Sequence, residues 1–485
     1  MSRGVQLIAY ANRFGGDLKR LEALLAGPLE GLFQGLHVLP FYYPVDGSDA
    51  GFDPIDHSRV DPSLGGWDDI ASLAQTLPLM ADLIVNHVSS HSEAFQSVRQ
   101  EGQASSFWPL FLTMARIFPT GATESDLLQI KRPRPSLPFT RITLENGSSR
   151  LFWTTFSSHQ IDIDVESSLA GDYLAEVLDQ LKAAGIRWVR LDAVGYAIKR
   201  AGSSCFLLPE TYRFISWLSQ EVRARGMEAL VECHANPDDL IELAAVTDWV
   251  YDFALPPLIL HTLFKSDCNA LVKWLEIMPH NCVTVLDTHD GIGIADIRGD
   301  EEADGLLSAA EIDELVEEIH RRTGGQSRAA TGEGARNVDI YQVNTTYFDA
   351  LGKSATDYLI ARAIQLFAPG IAQIYYVGLL AGSNDMTLLA QTGVGRDINR
   401  HVYSPKEIDA ALERPLVGQL LELIRLCNSA SAFQGRFNIE QSGSESFEIG
   451  WEHQGNRAIL AVDAAQHTAS ICVLEENEER TLNLA

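Results

Sequence analysis

The sequence predicts an α/β protein, a (β/α)8 TIM barrel with inserted subdomains after its third and seventh strands and a small C-terminal antiparallel β-domain. Three observations predict it. Eight short apolar runs each end in polar residues, segments with helical spacing separate them, and after about Ala432 the pattern changes to short alternating runs.

The runs, in order, are VQLIAYANRF, GLHVLPFYYPVD, ADLIVNHVS, IRWVRLDAVGY, EALVECHA, WVYDFALPP, CVTVLDTHD and IAQIYYVGLLAG. Between them GDLKRLEALLAG, GDYLAEVLDQLKAAG and PETYRFISWLSQEVRARG repeat apolar residues at helical spacing, with Gly near their ends. Two intervals are too long for simple loops and are expected to fold over the barrel mouth. The expected division is residues 1–87, 167–290 and 356–432 for the barrel, 88–166 and 291–355 for the two excursions, and 433–485 for the β-domain, whose runs are FNIEQ, SFEIGWE, AILAVDA and ASICVLE.

Composition narrows the function classes. A net charge of -28, from 37 basic and 65 acidic residues, disfavours nucleic acid and anionic membrane as partners. No run of about 18 apolar residues exists and the N-terminus enters a strand pattern directly, so a cytoplasmic protein is expected, with no membrane partner, as a monomer or homodimer. The six cysteines form no C-x-x-C pair, which argues against a zinc site or a disulfide framework and for buried free thiols.

In a barrel of this kind the reaction centre is built at the carboxyl ends of the strands. Asp49, His87, Asp192, Glu232 and Asp290 all fall there. Any one of these carboxylates alone reads equally well as a strand-end salt bridge or a helix cap. Asp192, Glu232 and Asp290 together, with His87 and His289 nearby, read as a centre for glycosidic chemistry, in which one carboxylate attacks and another serves as acid and then base. Arg190, two residues before Asp192, is expected to pair with it and hold it ionised. In the first excursion KRPRPSLP presents Lys131, Arg132 and Arg134 on a proline-stiffened loop, and planar guanidinium groups suit phosphate.

Asp82, Asn86 and His87 in DLIVNH, Arg190 and Asp192 in RLDAVGY, Glu232, and His289 with Asp290 in DTHD resemble, in order and spacing, the four signature regions of the alpha-amylase superfamily of glycoside hydrolases. More narrowly, GFDPIDH, RPRPSLPFT, QIDIDV, YDFALPP, VLDTHDGIG, VDIYQVNTTY, QIYYVGLLAG and GRDINRH resemble the sucrose phosphorylase family, from Val5 to about Pro415. The resemblance implies Asp192 as nucleophile, Glu232 as general acid/base and Asp290 as transition-state stabiliser. It implies a glucosyl pocket of Asp49, His87, His289 and Arg396, with Phe52 and Phe156 on the sugar faces and Gln160 beside them, and Tyr196 and His234 on the acceptor side. Arg134 matches a phosphate-binding arginine of the family, and VDIYQ offers Val338, Asp339, Tyr341 and Gln342 for fructose and phosphate.

The expected reaction is cleavage of sucrose by phosphate to α-glucose 1-phosphate and fructose through a glucosyl-Asp192 intermediate. No cofactor and no metal are expected: nothing resembles a pyridoxal lysine site or a G-K-[ST] phosphate loop, and the resemblance implies no structural calcium. Lys131 and Val338 stand where bifidobacterial-type members of the family carry a tyrosine and a leucine, so glucosylglycerol, glucosylglycerate and sucrose 6'-phosphate phosphorylases, with the same mechanism, stand as alternatives. Asp339 favours a neutral, hydroxyl-rich acceptor over an anionic one. A retaining α-glucosidase or transglucosidase is the alternative of another class, whereas an inactive binding module is disfavoured by the three carboxylates.

Overall fold

The computed structural model describes residues 4–47, 49–133, 136–299, 305–332, 342–476 and 478–484. The barrel strands are β1 (Gln6–Ala9), β2 (Gly35–Val38), β3 (Leu79–Ile84), β4 (Trp188–Asp192), β5 (Glu228–Val231), β6 (Trp249–Asp252), β7 (Cys282–Thr284) and β8 (Ile371–Tyr375). Each pairs in parallel with the next, and β8 closes on β1 through Gln6 opposite Gln373. Their near-continuous apolar composition follows from burial on both faces, the interior of the barrel and the ring of helices around it. All eight predicted strands are present.

The helices are amphipathic in the way their spacing predicts. Helix Ser168–Ala183 buries Leu174, Val177, Leu178 and Leu181 against the barrel. Helix Leu18–Ala26 starts where the Asp17 side chain accepts from the Arg20 amide, satisfying one of the amides that the first turn leaves open.

Between β3 and β4 the chain leaves the barrel and forms two antiparallel pairs, His87–Ser89 with Gln160–Asp162 and Phe139–Thr143 with Ser149–Trp153. Leu112, Phe118, Ile130 and Trp153 form a small core of their own there, joined by Cys205 from the loop after β4. Between β7 and β8, Ile292–Gly293 pairs with Gln342–Val343, and helix Ala309–Arg322 lies between these strands in sequence.

The chain ends in a five-stranded antiparallel meander of β9 (Arg436–Ser442), β10 (Ser446–His453), β11 (Asn456–Asp463), β12 (Thr468–Glu475) and β13 (Glu478–Asn483). Its inner face carries Phe447, Ile449, Leu460, Val462 and Ile471, and Trp451 donates its indole N–H to the Phe367 carbonyl at 2.8 Å, which fastens the sheet to the barrel. All six cysteines are free thiols; five are buried and Cys472 is half-buried. Among the described residues no helix is long and apolar enough to cross a membrane.

Candidate active site

Side chains two apart on a strand share a face, so β4 aims Arg190 and Asp192 in the same direction. Arg190 opposes Asp82 across the β3–β4 ladder. Its Nη1 donates to Asp82 Oδ1 at 2.6 Å and to Asp192 Oδ1 at 2.7 Å, and Nη2 stands 3.9 Å from Glu232 Oε2. His37, on β2, lies 2.9 Å from the other oxygen of Asp82. Burial opposes ionisation of Asp82, but His37 and Arg190 outweigh it and bring its carboxyl down to about 2.

The chain turns sharply after Asp192. Ala193 takes a left-handed backbone (φ 55°), a strained state for a residue with a Cβ, and its amide donates to Glu232 Oε2 at 3.0 Å. Gly195 follows, where a Cβ would come within 2.7 Å of the Cys233 sulfur, so only glycine lets this turn lie against the end of β5. The turn thereby brings Asp192 and Glu232 to one guanidinium and sets Tyr196 beside them.

The pairing of Arg190 with Asp192 agrees with expectation; its effect does not. Burial pushes the Asp192 carboxyl well above its usual value, and Glu232, Asp82 and Asp290 add to that push against the pull of Arg190. Apolar walls and three neighbouring carboxylates outweigh one shared guanidinium.

Asp290 is held the opposite way. Its Oδ1 lies 2.7 Å from Arg396 Nη1 and 3.8 Å from Arg400 Nη2. Burial resists, but Arg396, with Arg400 behind it, prevails and keeps the carboxyl far below the usual range, so it is ionised. Asp49 completes this group at 3.6 Å from Arg400 and 3.9 Å from Arg396. His289 stacks on Phe52, with ring centres 4.5 Å apart, and burial brings its pKa down to about 3, leaving a neutral imidazole.

On the opposite wall His87 sits 2.9 Å from the Phe52 carbonyl and 3.0 Å from the Gln160 amide, with Phe156 against its ring and Tyr196 edge-on to Phe156. Towards the second excursion, His234 Nδ1 meets Asp296 at 2.8 Å, its ring stacks on Phe253, and Gln342 donates to Nε2 at 2.8 Å. Burial opposes protonation of His234, but Asp296 and the nearby Glu232 and Asp290 raise it.

One cavity is lined by Asp49, Phe52, His87, Phe156, Gln160, Asp192, Tyr196, Glu232, His234, His289, Asp290, Gln342 and Arg396. Arg190 is not in its wall; it lies beneath, buried, and acts through Asp192. Arg134, Asp339 and Tyr341 lie outside the described residues. Glu232, His234 and Asp290 offer donor atoms within 4.8 Å of one another, a spacing a cation could use. Of their donor atoms, Glu232 Oε2, both His234 nitrogens and Asp290 Oδ1 are engaged by the Ala193 amide, Asp296, Gln342 and Arg396, as suits an acid/base centre.

Two contributors escaped the reading of the sequence. Arg400 carries a signal, being the second arginine of GRDINRH. Asp296, far from His234 in sequence, carries none.

Residues 30–228 match the alpha-amylase catalytic domain. Over 97% of both chains, the protein is 55% identical to a sucrose phosphorylase of Agrobacterium vitis. It is also 47% identical to the sucrose phosphorylase of Bifidobacterium adolescentis, over 98% of this chain and 96% of that one. The chain belongs to the sucrose phosphorylase family. A solved family structure, the sucrose 6F-phosphate phosphorylase of Thermoanaerobacter thermosaccharolyticum, superposes with a TM-score of 0.91 at 36% identity, over 99% of this chain and 98% of that one. The barrel, its two excursions and the terminal sheet are thus the architecture of this family.

Proposed function

We propose that this protein is a retaining phosphorylase that cleaves sucrose with inorganic phosphate to α-D-glucose 1-phosphate and D-fructose. The observation that carries the reading is the meeting of Asp192 and Glu232 at one guanidinium, above which Asp290 is held ionised. Coupled carboxylates titrate as a unit. Arg190 stands at 2.7 Å from Asp192 but 3.9 Å from Glu232, so the guanidinium orients Asp192 most directly, which supports Asp192 as the nucleophile and Glu232 as the acid/base.

Asp192 attacks the anomeric carbon while Glu232 gives its proton to the departing fructose oxygen, so the C1–O bond breaks as the C1–Asp192 ester forms. Phosphate then attacks the same carbon and passes a proton to Glu232, and the ester bond breaks. Asp290 supports the positive charge that develops on the sugar. Asp49, His87, His289, Arg396 and Gln160 take the glucosyl hydroxyls, Phe52 and Phe156 its faces, and Tyr196, His234, Gln342 and Asp339 the acceptor, while Arg134 and Tyr341 take phosphate. The excursions 88–166 and 291–355 shape the acceptor side. The substrates are small sugars and phosphate, and the protein works in the cytoplasm as a monomer or homodimer.

Purified protein incubated with sucrose and phosphate is expected to release glucose 1-phosphate and fructose in equal amounts. Release of free glucose at a rate independent of phosphate would mean a hydrolase. In the reverse direction, glucose 1-phosphate offered with fructose, glycerol, glycerate or fructose 6-phosphate is expected to release phosphate fastest with fructose; another ranking reassigns the acceptor and leaves the mechanism.

A further inference from the structure

Lys199 follows the short turn after β4 and does not line the cavity, yet its side chain is only 1% exposed. A buried ammonium persists only where its charge and donors are matched. Here its Nζ meets Asn86 Oδ1 at 2.9 Å, Asp162 Oδ2 at 2.9 Å and the Tyr196 carbonyl. Three oxygens answer three N–H donors. The Trp153 ring, centred 5.7 Å away, closes the site from the side of the first excursion.

These three oxygens come from three separate segments. Asn86 follows β3, Asp162 ends a strand of the first excursion, and Tyr196 closes the turn after β4. Each adjoins or is a residue of the cavity wall. Asn86 precedes His87; Asp162 shares a strand face with Gln160 and also accepts from the Thr155 amide and hydroxyl, at 2.9 and 2.5 Å, next to Phe156. We propose that Lys199 is a positioning residue, whose buried ammonium pulls Asn86, Asp162 and the Tyr196 carbonyl to one point and so fixes the wall of the glucosyl pocket formed by His87, Gln160 and Phe156. Neutral side chains would hold the excursion to the barrel by packing alone. A single cation with three short bonds fixes where three segments stand relative to one another, which is what a sugar pocket needs.

The inference rests on the phosphorylase reading, so glucose 1-phosphate formation by the wild-type protein is measured first; its failure there would reject that reading before any variant is made. Lys199→Met keeps the length of the side chain and removes its charge. The KM for sucrose and the KM for glucose 1-phosphate should each rise by about tenfold, as for a small misplacement of binding groups. The KM for phosphate and the ratio of glucose 1-phosphate to free glucose should stay near wild type. A folded Lys199→Met protein with unchanged donor KM values, or with an equal rise for phosphate, would overturn the proposal, because a general anchor loosens both sides alike. If that variant does not fold, Asn86→Ala decides: it removes one of the three oxygens without stranding a charge. The same split, smaller in size, is expected from it, and unchanged donor KM values in Asn86→Ala would equally overturn the proposal.

Discussion

Asp192 is kept where its own charge is costly. A carboxyl whose folded-state pKa is raised loses stability for the protein as pH climbs from its unfolded value, so the penalty grows towards neutral and alkaline pH. Asp192→Asn should therefore abolish phosphorolysis and at the same time raise the unfolding midpoint by a few degrees, more at pH 8 than at pH 5, as found where function strains a site. Thermal scans of the two proteins at both pH values check it; a midpoint lowered at pH 8 would mean that Arg190 gains more from Asp192 than burial costs. A second residue, Arg134, is proposed to govern the other substrate. Phosphate enters a site already holding ionised Asp290, and added positive charge is needed to offset that repulsion. Arg134→Ala is expected to raise the KM for phosphate strongly and to shift the products of sucrose cleavage towards free glucose, and Arg134→Lys to recover little because bidentate geometry is lost. A product ratio equal to wild type in Arg134→Ala would put phosphate elsewhere.

At the scale of elements, the barrel was legible because its strands are buried on both faces: runs such as WVRLD and CVTVLDTHD announce themselves without any alternation. The convergence of Asp192, Glu232 and Asp290 followed from strand ends alone, since a barrel brings every such end to one mouth. What the chain did not disclose depends on summed environments and on contacts between distant loops. Arg190 beside Asp192 could be read, but not the weight of burial and of three carboxylates against it. Arg396 could be read, but not that Arg400, four residues on, turns inward as well, because the intervening residues form a tight 3-10 turn rather than a helix face. In the terminal sheet, Trp451 ties a central strand to the barrel through the Phe367 carbonyl. Trp451→Phe should cost about 1 kcal/mol, the hydrogen bond to the Phe367 carbonyl, whereas Trp451→Ala should cost about 3 to 5 kcal/mol through the cavity it leaves. Denaturant titration distinguishes the two. Equal small losses would show the sheet to be held by other contacts.

For the whole molecule two charge effects oppose each other along the pH axis. A net charge of -28 makes the folded protein repel itself at neutral pH, and partial protonation of surface carboxylates relieves this as pH falls. The raised Asp192 carboxyl acts in the same direction. Against them stand Asp82, depressed by His37 and Arg190, and Asp290, depressed chiefly by Arg396. A depressed carboxyl contributes stability that is complete above its unfolded value, 3.8 for Asp82, and is lost as pH falls towards its folded value of about 2. For Asp82 that contribution is roughly 2 kcal/mol, at about 1.4 kcal/mol per unit, and Asp290 adds to it over the same acid range. Stability should thus peak on the acid side of neutrality, near pH 5 to 6 by the usual balance of such terms, and fall steeply below about pH 4 as these two carboxylates take up protons. Asp82→Asn should flatten the acid limb while lowering the plateau, because it gives up the charge that Arg190 and His37 share. The measurement is the unfolding midpoint from pH 3 to pH 8, in low salt and in high salt. Added salt should lift the alkaline side, where exposed charges repel and are screened, and leave the acid limb in place, because the Asp82 pair is buried beyond the reach of screening ions. An acid limb that moved with salt as much as the alkaline side would trace acid unfolding to surface charge instead of to the carboxylates beneath the active site.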